Sequence, residues 1–309
     1  MPAYDLNGRV ALITGAARGI GFETARQLHL RGASVAVLDL DLGQAQEAAE
    51  RIGPRAFGIG ADVTDQGAMM AAVAAVVERF GGLDVAVANA GIAPPTVTTA
   101  RTMPAEEWRR VVDVNLLGAW HTAGAALPQV SERGGRLVFI GSIYSFVNGL
   151  MASPYAVSKA GVEALGRALR AELAPFGASA TVAYFGWVET DLVRDSLDRK
   201  DDGRGARVLS EILPGFLLKR ISAASAGAAI VGALEERAPR VFAPPIWRYL
   251  SALRGLLNPL LDRRMDHDAD IAAAVREAEA LAAQRPVVAH GRPLICGGWR
   301  PTTSTGRLR

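Results

Sequence analysis

Residues 10–32 read VALITGAARGIGFETARQLHLRG, and the order of residue types within them decides the fold. Residues 10–14 form a β-branched, apolar run of strand length, the signature of a buried strand. Gly15, Gly19 and Gly21 follow at once. Apolar residues then recur at helical spacing up to Gly32, a residue type that commonly closes helices. A strand, a glycine turn and a helix in succession build a phosphate site. Glycines let backbone N–H groups approach a pyrophosphate, and the helix amino terminus carries partial positive charge. The spacing is G-x-x-x-G-x-G rather than the G-x-G-x-x-G dinucleotide fingerprint. Arg18 and Ile20 lie inside the turn and join its glycines as candidate cofactor contacts.

The same alternation continues along the chain. Residues 34–38 form a second strand with Asp39 at its carboxyl end. A carboxylate there accepts hydrogen bonds from an adenosine ribose and repels a 2′-phosphate, which selects NAD over NADP; Arg18 is the opposing feature. Residues 56–60 are a third strand, followed by Asp62-Val63 and a helix over 66–80. Residues 83–88 are a fourth, ending in Asn89-Ala90-Gly91, and a long helical pattern over 106–132 contains Asn115. Apolar runs at 136–140, 180–184 and 240–243 complete a set of seven, the last preceded by a helix over 222–237. Strands alternating with helices require a parallel sheet covered on both faces, so the fold class is α/β, Rossmann-like and doubly wound. Such sheets bind ligands outside the carboxyl ends of their strands, where Gly15, Asp39, Asp62, Asn89, Ser142 and Phe185-Gly186 all fall.

Candidate chemistry gathers in RLVFIGSIYSFVNGLMASPYAVSK, residues 136–159. Ser142 follows the fifth strand, and Pro154 opens a helix on which Tyr155 and Lys159 share a face. An ammonium beside a phenol favours phenolate, so this pair is expected to bring Tyr155 below its ordinary pKa of about 10 and to make it an acid/base. A serine hydroxyl beside it can orient a carbonyl or an alcohol.

Taken together, TGAARGIG at 14–21, Asp62-Val63, ANAG at 88–91, Asn115, Ser142 and Tyr155-x-x-x-Lys159 resemble the short-chain dehydrogenase/reductase family. The resemblance covers residues 7–243 and implies hydride transfer between a nicotinamide and an alcohol/carbonyl pair. It implies Tyr155 as acid/base, Ser142 as the hydroxyl that positions substrate oxygen, and Lys159 as ligand of the nicotinamide ribose. It further implies that Asn115 supports a proton-relay water, that Asp62 and Val63 hold adenine, and that Asn89, Ala90 and Gly91 line the cofactor, with Gly186 and Val188 beyond the sixth strand. One departure matters: Phe185-Gly186 stands where the family usually has Pro-Gly, which is expected to reshape the cofactor wall or the substrate pocket. The resemblance also implies a homodimer or homotetramer, for which a row of Val162, Leu165, Leu169 and Leu173 at helical spacing offers a second apolar face.

Composition fits this reading. The 309 residues are 50% hydrophobic and 21% charged, with net charge +3 and 6% aromatics, which argues against a nucleic-acid surface. A single cysteine gives no disulfide framework, and four dispersed histidines give no metal-ligand spacing, so no metal is expected. No apolar run reaches the roughly 18 residues of a membrane span, and the amino terminus lacks a signal-peptide pattern, so a cytoplasmic protein without membrane association is expected.

Residues 1–243 therefore read as the dinucleotide-binding catalytic domain and 244–309 as a helical extension that is not an independent domain. Residues 189–221 are expected over the substrate, as a charged run and an apolar cluster. Tyr144, Phe146, Leu150, Met151 and Trp187 suggest a bulky, apolar substrate. The apolar row of 246–261 is expected to cover the pocket or a partner, with another helix over 271–283 and a turn-rich, arginine-rich end. The favoured function is an NAD(H)-dependent oxidoreductase interconverting a secondary alcohol and a ketone. Its alternatives are an NADPH-dependent carbonyl reductase and a non-catalytic dinucleotide sensor on the same fold.

Overall fold

The computed structural model describes residues 3–95, 97–190, 215 and 219–284. Most of the stretch expected over the substrate, and the arginine-rich end, lie outside these described residues. Seven strands form one parallel sheet: β1 (Val10–Thr14), β2 (Ser34–Asp39), β3 (Ala56–Gly60), β4 (Val85–Ala88), β5 (Arg136–Ile140), β6 (Ser179–Phe185) and β9 (Arg240–Ala243). Their order across the sheet is β3-β2-β1-β4-β5-β6-β9, which makes β1 and β4 neighbours where the winding reverses. Two short strands, β7 (Val188–Glu189) and β8 (Ile221–Ser222), pair separately beside the sheet. The helices are α1 (Gly19–Leu30), α2 (Leu42–Ile52), α3 (Gln66–Phe80), α4 (Ala105–Val112), α5 (Gly118–Glu132), α6 (Ser153–Leu173), α7 (Ala223–Glu236), α8 (Trp247–His267) and α9 (Ala269–Ala283).

Because strand side chains alternate faces, each strand feeds two cores. Ile13, Val37, Val138 and Phe185 join Leu28 of α1 and Ile230 of α7 on one face. Leu12, Leu38, Leu137 and Phe139 join Met69 of α3 and Leu169 of α6 on the other. Phe185 is thus a buried core residue, in the same cluster as residues of α1 and α7. Val162, Leu169 and Leu173 are buried, and Leu165 packs partly against them, under α6's own sheet. This corrects their reading as a face for a partner: a helical apolar row reports that something covers it, and here the sheet does. The apolar side chains of this region that are exposed are Leu117, Trp120 and Val157.

The long helical pattern over 106–132 is interrupted. Residues Asp113–Leu117 form a π turn between α4 and α5, and it is this widened turn that carries Asn115. At the opposite edge of the sheet, the fully buried Asp84 accepts from Val10 N at 3.0 Å and pairs with Arg9 at 2.9 Å and Arg133 at 3.1 Å. These bonds hold its carboxyl below the usual carboxylate range against the opposing effect of burial, and fasten β1 to β4 at their amino ends.

The extension packs on one side only. Trp247 is fully buried, and Ser251 and Leu250 lie on the same inward side. Tyr249, Leu253, Leu256 and Leu260 form an outward row, with Leu256 68% exposed. Within the chain itself the apolar row is covered on its inward half. No described helix is long and apolar enough to cross a membrane.

Close helix approach marks one weak point for substitution. A Cβ added at Gly227 of α7 would lie 2.8 Å from the carbonyl carbon of Glu23 and 2.9 Å from Thr24 N, both backbone atoms of α1. Gly227→Ala should therefore push the two helices apart and cost roughly 1–3 kcal/mol. Thermal unfolding should show a Tm lower by several degrees; an unchanged Tm would mean that the helices can separate freely.

Candidate active site

The carboxyl edge is assembled around the end of β1. Thr14 Oγ1 accepts from Asn89 N at 3.0 Å and Ala90 N at 3.1 Å, and Asn89 Nδ2 donates to the carbonyls of Thr14 at 2.8 Å and Gly15 at 3.0 Å. This contact needs missing side chains. A Cβ on Gly15 (φ +62) would lie 2.8 Å from Ala90 Cα, and one on Gly21 would lie 2.5 Å from Gly15 O and 2.6 Å from Asn89 Nδ2. The glycine turn is thereby drawn against β4, and α1 begins at Gly19 with Arg18, in extended backbone, as its amino-terminal cap. The N–H groups of such a first turn have no partners within the helix and suit a pyrophosphate, so these residues fit a dinucleotide.

Asp39 ends β2, its Oδ2 accepting from Ala17 N at 3.0 Å and its Oδ1 from Leu40 N at 2.9 Å. The carboxylate expected at the ribose therefore also holds the glycine turn. Arg51 of α2, which no motif marks, donates to Ala17 O at 3.2 Å and lies 4.5 Å over the Phe22 ring. Asp62 Oδ1 accepts from the backbone N and hydroxyl of Thr64, each at 2.8 Å. Val63 is buried with its carbonyl 2.9 Å from His121 Nδ1 of α5, and its side chain would meet a Cβ on Gly118 at 2.7 Å. Val188 is buried beside β8, and Gly186 stands where a Cβ would be 2.6 Å from Trp247 Nε1.

Ser142, Tyr155, Lys159 and Asn115 come together through backbone-directed bonds. Ser142 follows β5 and caps a single 3₁₀ turn, Ile143–Ser145, its Oγ accepting from Tyr144 N at 3.3 Å. Ser145 Oγ donates to Lys159 O at 2.8 Å, and Ser158 Oγ to Tyr155 O at 2.7 Å. Asn115 Oδ1 accepts from Ile92 N at 2.8 Å, while its Nδ2 donates to Ile92 O at 3.0 Å and to Ser158 Oγ at 3.2 Å. Asn115 so ties the segment after β4 to the helix that carries Tyr155. Ser145 and Ser158 escaped sequence reasoning, although each sits three residues from a predicted site residue, a spacing typical of local side-chain to backbone bonds.

Lys159 is buried, with Nζ donating to Ile140 O at 2.8 Å and lying 5.6 Å from the centre of the Tyr155 ring. A Cβ on Gly91 would come within 3.6 Å of that Nζ, so glycine leaves room beside it. Burial pushes the Lys159 ammonium down to about 8. Burial also pushes the Tyr155 phenol up, against a smaller opposing effect of its hydrogen bond with Ser142. The expected lowering of Tyr155 by Lys159 is not met in the ligand-free chain: desolvation sets the direction, and the effect that opposes it is the hydrogen bond with Ser142. The Tyr144 ring meets Tyr155 edge-on at 5.6 Å and Trp187 edge-on at 6.3 Å, giving the site an aromatic wall.

Proteins of similar sequence and structure are dehydrogenases and reductases. The family model for short chain dehydrogenase matches residues 9–201. The chain is 38% identical to (-)-trans-carveol dehydrogenase of Rhodococcus erythropolis, over 55% of this chain and 67% of that one. It is 37% identical to cyclohexanol dehydrogenase of Rhodococcus sp. (strain TK6), over 64% and 81%. With the 3-oxoacyl-[acyl-carrier-protein] reductase FabG of Escherichia coli (strain K12) it shares 30% identity over 69% and 85%. A crystal structure of a short-chain type dehydrogenase/reductase from Mycobacterium marinum superposes with TM-score 0.68 at 29% identity, over 77% of this chain and 94% of that one.

The buried lysine gives a pH-dependent stability. Its folded value near 8 lies below the ordinary 10.5, so the cost of burying the charge is complete below pH 8. It fades as pH rises from about 8 and is gone above the unfolded value. Lys159→Met should thus raise the Tm of the ligand-free protein at pH 7 and gain progressively less between pH 8 and 10. An equal gain at both ends of that window would show that the ammonium is not desolvated.

Proposed function

Because the chain belongs to the short-chain dehydrogenase family, we propose that it is an NAD(H)-dependent enzyme interconverting a bulky, apolar secondary alcohol and its ketone. The observation that carries this reading is the convergence of Ser142, Tyr155, Lys159 and Asn115 at the edge where the glycine turn and Asp39 also meet. The names of three relatives refer to ring alcohols: carveol, cyclohexanol and trans-4-hydroxycyclohexanecarboxylate. The wall of Tyr144 and Trp187 suits such a ring.

In oxidation, Ser142 Oγ holds the alcohol oxygen and Tyr155 Oη removes its proton. The glycine turn and Asp39 would hold a nicotinamide dinucleotide, which would supply the acceptor for the hydride of the carbinol carbon. The phenol must be deprotonated to act as base, and burial alone opposes that. Lys159 and Ser142 are the groups that stabilise the phenolate, the first by charge and the second by hydrogen bonding. Asn115 anchors the helix turn that carries both Tyr155 and Lys159 and, next to Ile92, holds the opposite wall in register. We also propose a homo-oligomer, with Leu117, Trp120 and Val157 as the apolar side chains available to it.

Tyr155→Phe keeps the ring and removes the proton carrier. Turnover should fall at least about a hundredfold while NAD binding is retained; near-normal turnover would defeat the assignment. A second reading, preference for NADPH, draws on Arg51 beside the glycine turn and on a relative whose name reads L-rhamnose 1-dehydrogenase (NAD(P)(+)). Asp39→Ala separates the two. It should weaken NAD binding and improve NADP use, whereas a wild-type protein that already prefers NADP in a titration favours the second reading.

A further inference from the structure

The family match ends at residue 201, so α8 and α9 lie beyond it. Their attachments are not scattered. At the start of α8, Trp247 is buried against Gly186, just after β6, and lies 6.5 Å from the Phe146 ring. Midway, Arg254 pairs with the buried Glu163 of α6 at 2.9 Å. Further on, Asn258 Nδ2 donates to Phe146 O at 2.9 Å and Asp262 Oδ1 accepts from Asn148 Nδ2 at 2.9 Å, both in the segment after β5. Asp268 caps α9, which turns back, and Glu279 accepts from Thr99 Oγ1 at 2.7 Å and Arg101 Nε at 3.0 Å, in the segment after β4. Arg101 Nη2 pairs with the second oxygen of the same carboxylate.

The hairpin is therefore fastened in turn beyond the carboxyl ends of β6, β5 and β4, three consecutive strands on the edge that carries Ser142 and Tyr155. We propose that α8 and α9 are the outer wall of the substrate cavity and set the largest alcohol it admits. Glu279 is the positioning residue that holds residues 97–103 against that wall. This rests on the dehydrogenase reading. Removing the clamp loosens a rim without touching the reacting atoms, so it changes which alcohol fits rather than how the proton moves.

The test compares cyclohexanol with the bicyclic alcohol borneol in the full-length protein. Glu279→Ala should shift the ratio of kcat/KM at least threefold towards borneol. kcat for cyclohexanol and Kd for NAD should stay within twofold. Arg101→Ala, which breaks the pair from the other side, should shift the ratio in the same direction. Glu279→Gln, which keeps an acceptor for Thr99, should recover most of the original preference. An activity-independent measurement accompanies these: hydrogen exchange at the Thr102 and Met103 amides, which donate to Thr99 O at 3.1 and 3.0 Å, should quicken at least tenfold in Glu279→Ala. Unchanged selectivity in both alanine variants, or unchanged exchange, overturns the proposal. A wild-type protein that oxidises no alcohol with either nucleotide defeats the dehydrogenase reading instead, and exchange alone then judges the clamp.

Discussion

The closeness of the glycine turn to the end of β4 is the constraint on which the catalytic edge depends. Asn89 reaches the carbonyls of Thr14 and Gly15 only because positions 15 and 21 carry no Cβ. That contact fixes the start of α1, and with it the orientation of the first-turn amides. Through Gly91 and Ile92 the same segment meets Asn115, which continues to Ser158 and the first turn of α6. One chain of short polar contacts thus runs from the glycine turn to Tyr155, so the two ends are in mutual register. At the other end of the same strands, Asp84 with Arg9 and Arg133 prevents β1 and β4 from sliding.

Electrostatics within the edge is a balance between burial and pairing. Both Lys159 and Tyr155 are set toward their neutral forms by desolvation. At neutral pH Tyr155 is therefore a neutral phenol, whereas Lys159, with a value of about 8, keeps most of its charge and gives it up as pH rises past that value. Tyr144, also pushed up by burial, stays a neutral phenol beside them. It can wall the site without competing as a base.

Much of this was legible in the sequence because it depends on residue type at fixed spacing. Strand runs, glycine positions and the Tyr155–Lys159 interval are local facts, and the structure keeps them within a residue or two. Features set by tertiary surroundings were not legible. Periodicity identified the row of Val162, Leu165, Leu169 and Leu173 but not the sheet that covers it. It read residues 106–132 as one helix because a π turn preserves helical composition while shifting the phase. The sign of the Tyr155 shift depends on how much water the fold excludes, which no spacing encodes. Arg51 and Glu279 belong to no motif and acquire their roles only when distant elements meet.

The burial of Trp247 also bears on the order in which the protein is made. Its indole fills the centre of a cluster formed by Ile143, Phe146, Tyr184 and Trp187, all of which leave the ribosome well before it. Domains begin to fold during synthesis, amino-terminal parts first. Until residue 247 is made, that cluster lacks its Trp247 member. Translation of the extension, rather than of Tyr155, completes the aromatic cluster that packs behind Tyr144.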